Sequence, residues 1–205
     1  AGGPIHMHVA EQTKEVDDCL AATGQRPVRW LMNHTEVGKQ WCLIHATHIN
    51  ATETERLAKS GAKVMLAARR EDRLVALRDA IVEQGGDAIY KVTDVTDREQ
   101  MQALAQATLD AYDRIDVLVN NAGAAWGAPF EEYPDEAYDK VMDINVKAIF
   151  TLTRDLMPLL RNRSSQRQPS RVINIGSIDG LRVSQMDNFA YGASKAAVHF
   201  LTKNL

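Results

Sequence analysis

From residue 63 onward, short apolar runs alternate with amphipathic stretches, and this alternation restricts the chain to an α/β sheet more tightly than any one motif does. Residues 63–68 (KVMLAA), 88–92, 117–119 and 172–175 are apolar runs of strand length, bounded by polar or small residues. The segments between them have helical period. Residues 71–83 place Leu74, Leu77 and Ile81 on one face, and Gly85-Gly86 end the helix. Thr96-Asp97 cap a helix that runs to about Tyr112. Residues 134–160 hold a long helix with Val141, Ile144, Ile149 and Leu152 inward, and residues 161–170 are a polar loop. Strand–helix–strand units of this kind predict parallel strands joined by right-handed crossovers.

Two of the strands end in residues suited to chemistry. The run 172–175 leads into Gly176-Ser177, and the run at 116–123 reads DVLVNNAG. Open α/β sheets receive ligands at the carboxyl ends of their strands. Fourteen residues after Ser177 comes Tyr191, and Lys195 is four further on. On a helix that spacing stacks the two side chains on one face. A Tyr titrates near ~10 and a Lys near ~10.4 when free. A nearby ammonium favours the phenolate, so the pair suits general acid/base work on a carbonyl or an alcohol. Gly192, Ala193, Ser194, Ala196 and Ala197 are small and leave room for a ligand or a partner helix against this face. The pattern Y-x-x-x-K alone is also that of an exposed i,i+4 pair, so its weight comes from the neighbourhood.

The order NNAG (120–123), N-V-x-A (145–148), a strand ending in Ser177 and Y-x-x-x-K (191–195) resembles the short-chain dehydrogenase/reductase family. The resemblance implies a doubly wound, Rossmann-like, mostly parallel sheet of about six strands. It also implies an NADP-dependent carbonyl reductase or alcohol dehydrogenase acting on a small-molecule carbonyl or alcohol. In that reading Tyr191 is the acid/base. Lys195 tunes it and holds the nicotinamide ribose. Ser177 bonds the substrate oxygen, and Asn145 supports a water relay. Arg69, just past the strand 63–68, favours NADP over NAD by pairing with a 2′-phosphate, although an exposed basic helix start accounts for Arg69-Arg70 equally well. Asp94 and Val95 resemble the pair that contacts adenine. Asn121, Ala122 and Gly123 fall at the cofactor, and Asn120 ties neighbouring strands. The family assembles through the helices that would carry Asn145 and Tyr191, which implies a homo-oligomer. It also implies a further strand, a substrate-covering lid and a last strand after the Tyr191 helix, which these 205 residues do not contain.

The first 62 residues read differently. Residues 4–10 alternate as a strand, and Thr13 starts a helix of about ten residues that Gly24 and Pro27 end. Residues 28–33 suit a short helix, 41–46 a strand, and 53–60 a helix ended by Gly61. The family's T-G-x-x-x-G-x-G turn would place its glycines at Ile44, His48 and Asn50. Instead, HMHVAEQ (6–12) and IHATH (44–48) resemble a formiminoglutamate deiminase, of the amidohydrolase TIM-barrel superfamily. That resemblance covers residues 3–62, about two βα units of the barrel, and implies roles at His8, Glu11 and His45. A zinc site needs three or four ligands, and one such His makes none, so no metal site is assigned. The expectation is a chimera forming one α/β domain over 1–205. Residues 1–62 are the barrel-derived graft, and residues 63–205 are the dehydrogenase-like part. The strand 41–46 would take the centre of the sheet, and the strand 4–10 the edge beside the Ser177 strand. Two further readings stay open: a recombined α/β scaffold without activity, and a fragment of a zinc-dependent deaminase.

Charge and composition narrow the partners. A net charge of −3 argues against a nucleic-acid footprint or a basic membrane-binding surface. No apolar run approaches the roughly 18 residues of a membrane span. Cys19 and Cys42 suggest no disulfide framework, and the first residues lack a signal-peptide pattern, so a cytoplasmic protein is expected.

Overall fold

The computed structural model describes the backbone of residues 5–9 and 41–45, residues 20, 21, 23 and 24, and residues 61–205 apart from 163 and 185. The short helix expected over 28–33, the helix expected over 53–60, and Glu11, His48 and Asn50 lie outside the described residues. Of the helix expected from Thr13, residues 20, 21 and 23 are described and are helical. The fold is α/β with parallel strands. It divides into two compact units, Ala1–Leu66 with Glu71–Tyr90, and Ala67–Arg70 with Lys91–Leu205.

In the first unit, β1 (Ile5–Val9) and β2 (Trp41–His45) pair in parallel, with Ile5 opposite Trp41 and Val9 opposite His45. This corrects the expected placement of the first strand at the edge beside the Ser177 strand. Strands consecutive in sequence commonly lie side by side, as β1 and β2 do here. The strand β3 (Lys63–Ala68) is hydrogen-bonded to β4 (Asp87–Val92), and α1 (Glu71–Glu83) connects them. Among the described residues the six strands therefore form three hydrogen-bonded pairs. Leu74 and Ile81 of α1 are buried, and Val64 and Leu66 of β3 pack against Ile81 and Ala88. Leu77, expected on the same face, is 38% exposed. The helix ends as its glycines predict: Gly85 takes a φ of +82°, and Gly86 N–H reaches back to the Ile81 carbonyl at 3.0 Å.

In the second unit, α2 (Arg98–Tyr112) opens on Asp97, whose carboxylate accepts from the amides of Glu99 and Gln100 at 2.9 and 3.1 Å. The strand β5 (Val117–Asn120) pairs in parallel with β6 (Arg171–Asn174), with Val117 opposite Arg171 and Asn120 opposite Asn174. The expected long helix is present but interrupted. It consists of α3 (Asp135–Met142), a π turn (Asp143–Lys147) and α4 (Ala148–Asn162). The Ala148 amide reaches the Asp143 carbonyl, five residues back, which is the wide turn of a π-helix. Val141, Ile144, Ile149 and Leu152 are all buried, as the periodicity predicts. Met101 of α2 joins Leu152, Leu156 and Leu160 of α4 in one apolar core, on which Leu118 and Val172 pack. The last helix is α5 (Phe189–Asn204).

A polar line crosses this apolar packing. Asn120 Nδ2 donates to Asn174 Oδ1 at 2.7 Å and lies 3.0 Å from Thr153 Oγ1 of α4. Asn174 Nδ2 donates to Thr202 Oγ1 of α5 at 3.0 Å. Asn120 is buried, so removing its amide leaves partners desolvated and unpaired. Asn120→Ala is expected to lower stability by about 1–3 kcal/mol. Equilibrium urea unfolding checks this, and an unchanged midpoint would contradict the structural role assigned to the tie.

Candidate active site

The second unit gathers residues from four segments at the carboxyl ends of β3, β4, β5 and β6. At the first pair of ends, Thr93 N–H donates to the Ala68 carbonyl at 2.9 Å, which brings Arg69 and Asp94 together. Arg69 is exposed. The Asp94 carboxyl is held below the usual carboxylate range. The backbone amide and hydroxyl of Thr96, at 2.9 and 2.7 Å, are the main causes, and the Arg69 charge adds to them. Val95 follows, half-buried.

At the end of β5, Asn121, Ala122 and Gly123 are exposed, and the next residue is held from below by Asn145. Asn145 sits in the π turn and is fully buried. Its Oδ1 accepts from the Ala124 amide at 2.8 Å, and its Nδ2 donates to the Ala124 carbonyl at 2.9 Å and to Ser194 Oγ at 2.8 Å. Both donors and one of the two acceptor positions of this side-chain amide are thus matched. Ser194, also fully buried, donates to the Tyr191 carbonyl at 2.7 Å. The expected room beside the small residues of α5 is therefore taken, at Ser194, by the π turn. Ala193 and Ala196 stay exposed.

The end of β6 carries Ser177. The strand itself stops at Asn174, three residues earlier. Ser177 is extended, at φ −159° and ψ 155°, and its Oγ accepts from the Asp179 amide at 3.2 Å as the cap of a 3₁₀ turn (Ile178–Gly180). The turn lies against α5. Asn188 Nδ2 donates to Asp179 Oδ2 at 3.0 Å. A Cβ on Gly180 would lie 2.5 Å from the backbone carbon of Lys195, so only glycine fits there. Lys195 is 4% exposed, and its Nζ donates to the Ile175 carbonyl at 2.7 Å while lying 5.5 Å from the centre of the Tyr191 ring. Tyr191, half-buried, and Lys195 thus share a face of α5, as the spacing predicts.

Asn145, Ser177, Tyr191 and Lys195 belong to one connected arrangement, and Arg69 with Asp94 and Val95 to another at the ends of β3 and β4. Sequence reasoning missed Ser194 and His199 and the π turn that aims Asn145. His199 Nε2 lies 2.9 Å from the Ser177 carbonyl. The i, i+4, i+8 series Tyr191, Lys195, His199 was the available signal for it. The side chains of His8 and His45 are outside the described residues. In register, His45 pairs with Val9 and not with His8.

Two features of this unit suit a nicotinamide dinucleotide. The exposed Arg69 guanidinium suits a phosphorylated adenosine ribose. At Gly123, a Cβ would meet nothing closer than Asn145 Oδ1 at 3.5 Å, which leaves an open floor at the end of β5. In the sequence, residues 39–60, where the resemblance expects the phosphate turn, contain no glycine.

Comparison with known proteins agrees with this geometry. A family profile described as short chain dehydrogenase matches residues 49–205. Over 149 residues the chain is 39% identical to the rhamnolipids biosynthesis 3-oxoacyl-[acyl-carrier-protein] reductase of Pseudomonas aeruginosa, covering 73% of this chain and 58% of that one. The Pseudomonas aeruginosa RhlG/NADP active-site complex superposes with a TM-score of 0.69 at 36% identity, over 76% of this chain and 61% of that one. An NADH-dependent reductase, A1-R′, responsible for alginate metabolism, superposes at 0.67 and 33% identity, over 75% and 63% of the two chains. The chain thus spans about three-fifths of the length of these reductases. A formimidoylglutamate deiminase of Pseudomonas aeruginosa is 43% identical over 91 residues, which is 44% of this chain and 18% of that one.

Since the folded pKa of Asp94 is depressed, its contribution to stability is present above the unfolded value, near ~3.9, and is lost as pH falls through the folded value. Asp94→Asn should therefore melt lower than the parent at pH 7, with the difference closing below about pH 3.9. Thermal melts from pH 7 to pH 2.5 check this; a gap that persists in acid would mean the carboxylate's bonds to Thr96 are not its source.

Proposed function

This chain belongs to the short-chain dehydrogenase family, and we propose that its Tyr191 site is that of an NADP-dependent carbonyl reductase or alcohol dehydrogenase. The observation that carries the proposal is the convergence of Ser177, Tyr191 and buried Lys195 on α5 and the end of β6. Ser177 and Lys195 are tied there by their own bonds to the Asp179 amide and the Ile175 carbonyl. The bound nicotinamide supplies the hydride chemistry. The protein's own part is the proton. The Tyr191 hydroxyl donates to the substrate oxygen as negative charge develops on it. The Ser177 hydroxyl hydrogen is not used by the Asp179 bond and donates to the same oxygen. The Lys195 ammonium stabilises the tyrosinate that results. Asn145 acts one step back, holding Ala124 and Ser194 and through Ser194 the Tyr191 backbone. Arg69 favours the 2′-phosphorylated cofactor. The 3-oxoacyl group named for the Pseudomonas relative is the carbonyl class we assign as first probe.

One observation favours a second reading, a folded scaffold that keeps these residues without turnover: the absence of glycine from 39–60. A displacement of reacting atoms by about 1 Å costs on the order of a hundredfold. Titration with NADPH and NADH separates the two readings. Saturable NADPH binding near micromolar, about −8 kcal/mol, with weaker NADH, supports the reductase; no binding at millimolar cofactor supports the scaffold. On a 3-oxoacyl ester with NADPH, Tyr191→Phe is expected to lose at least a hundredfold in kcat, within the range of acid/base contributions. A Tyr191→Phe protein with the parent rate would remove Tyr191 from the chemistry.

We also propose that the chain self-associates through α4 and α5. Phe150 of α4 and Phe200 of α5 are 48% and 72% exposed, and such large apolar surfaces mark association sites. Phe200→Glu should shift the protein to monomer in sedimentation; a parent already monomeric at high concentration would defeat this.

A further inference from the structure

We infer that His199 is a positioning residue for Ser177: its ring sets where the serine hydroxyl meets the substrate oxygen. The inference rests on the reading of Tyr191 and Ser177 as the reductase site. His199 stands one turn beyond Lys195 on α5, so Tyr191, Lys195 and His199 form a single line of side chains. Its ring is half-buried and lies in a slot that two glycines create. A Cβ on Gly176 would sit 2.5 Å from His199 Cε1, and a Cβ on Gly180 would sit 2.9 Å from His199 Cδ2. Real Cβ atoms do not approach so closely, so any side chain at 176 or 180 would expel the ring or move the loop. The two glycines flank Ser177 and the turn it caps.

Within the slot, Nε2 lies 2.9 Å from the Ser177 carbonyl oxygen and 3.4 Å from the Ser177 amide nitrogen. One nitrogen cannot serve both at once. With a proton on Nε2 the ring donates to the carbonyl over the short distance. With a bare Nε2 two lone pairs face each other at 2.9 Å, and only the long amide contact remains. The geometry therefore selects the tautomer protonated on Nε2. Ser177 has an extended backbone, and its Oγ is already tied to the Asp179 amide. Its hydroxyl thus moves when the Ser177 carbonyl moves. The His199 bond joins that carbonyl to the helix that carries Tyr191. One side chain thereby couples the two groups that must meet a single substrate oxygen.

The test uses the whole chain, NADPH and a 3-oxoacyl ester. His199→Phe keeps a flat ring for the slot and removes the donor. His199→Gln returns an amide donor at about the reach of Nε2. His199→Phe is expected to lower kcat about tenfold or more, in line with the cost of a sub-ångström to ångström displacement, while the NADPH dissociation constant stays within about twofold. His199→Gln is expected to recover most of the lost kcat. Should His199→Phe fail to fold, His199→Gln against the shorter His199→Asn makes the same comparison, with Gln the faster. Parent-like kcat in His199→Phe overturns the inference alone. Equal losses in Phe and Gln variants, or in Gln and Asn variants, also overturn it, since they mark a merely structural ring. A parent with no turnover overturns the site reading, and this inference with it.

Discussion

The rest of the site depends on one buried charge. Lys195 is almost wholly withdrawn from solvent, and an ammonium is tolerated there only if its donors find acceptors. One acceptor is the Ile175 carbonyl, one residue beyond the last residue of β6. That bond pins the end of the strand to α5. The segment after the strand is then constrained in turn: Gly176 must admit the His199 ring, Ser177 must cap its own turn, and Gly180 must let the chain pass against the backbone of Lys195. The lysine is therefore structural before it is chemical. Its place over the Tyr191 ring follows from the same burial.

The π turn does comparable work from the other side. The wide turn keeps Val141 of α3 and Leu152, Leu156 and Leu160 of α4 all buried. The extra residue in the turn lets a buried Asn address both the backbone of Ala124 and the hydroxyl of Ser194. The loop after β5 and the first turns of α5 are thus joined by a single amide. Polar groups so fully matched in an apolar setting specify one arrangement, because each alternative leaves a buried donor or acceptor without a partner. The Asn120–Asn174–Thr202 line ties the ends of β5 and β6 to α5, running from the buried Asn120 out to the exposed Thr202.

The strands and helices from residue 63 on were legible because their signals are local. Runs of apolar residues marked β3 to β6, Asp97 marked the start of α2, and glycines marked the end of α1. The Tyr191–Lys195 face was legible for the same reason, since four residues on a helix fix a direction. The features that escaped the sequence were non-local or fell between periods. A π turn adds a single residue to one turn, too small a change to be separated from the scatter of apolar positions in 134–160. Leu77 fits an amphipathic stripe on paper, yet the helix turns it to solvent. Ser194 and His199 take their roles from Asn145 and from the Ser177 carbonyl, 49 and 22 residues away in sequence. The pairing of β1 with β2 was open as well, because the hydrophobic pattern of a short strand does not name its neighbour.

The site's determinants also explain how an unfamiliar first segment can coexist with a familiar active-site pattern. Asn145, Ser177, Tyr191, Lys195, His199 and the residues that hold them belong to one compact unit, Ala67–Arg70 with Lys91–Leu205. The bonds that place them run between residues of that unit: Asn145 to Ala124 and Ser194, Lys195 to Ile175, His199 to Ser177, and Thr93 to Ala68. Holding a pyrophosphate is a different requirement, met in this family by glycines near the first strand. Here that stretch of sequence, 39–60, has none. The geometry of Tyr191, Ser177 and Lys195 is set by neighbours within their own unit.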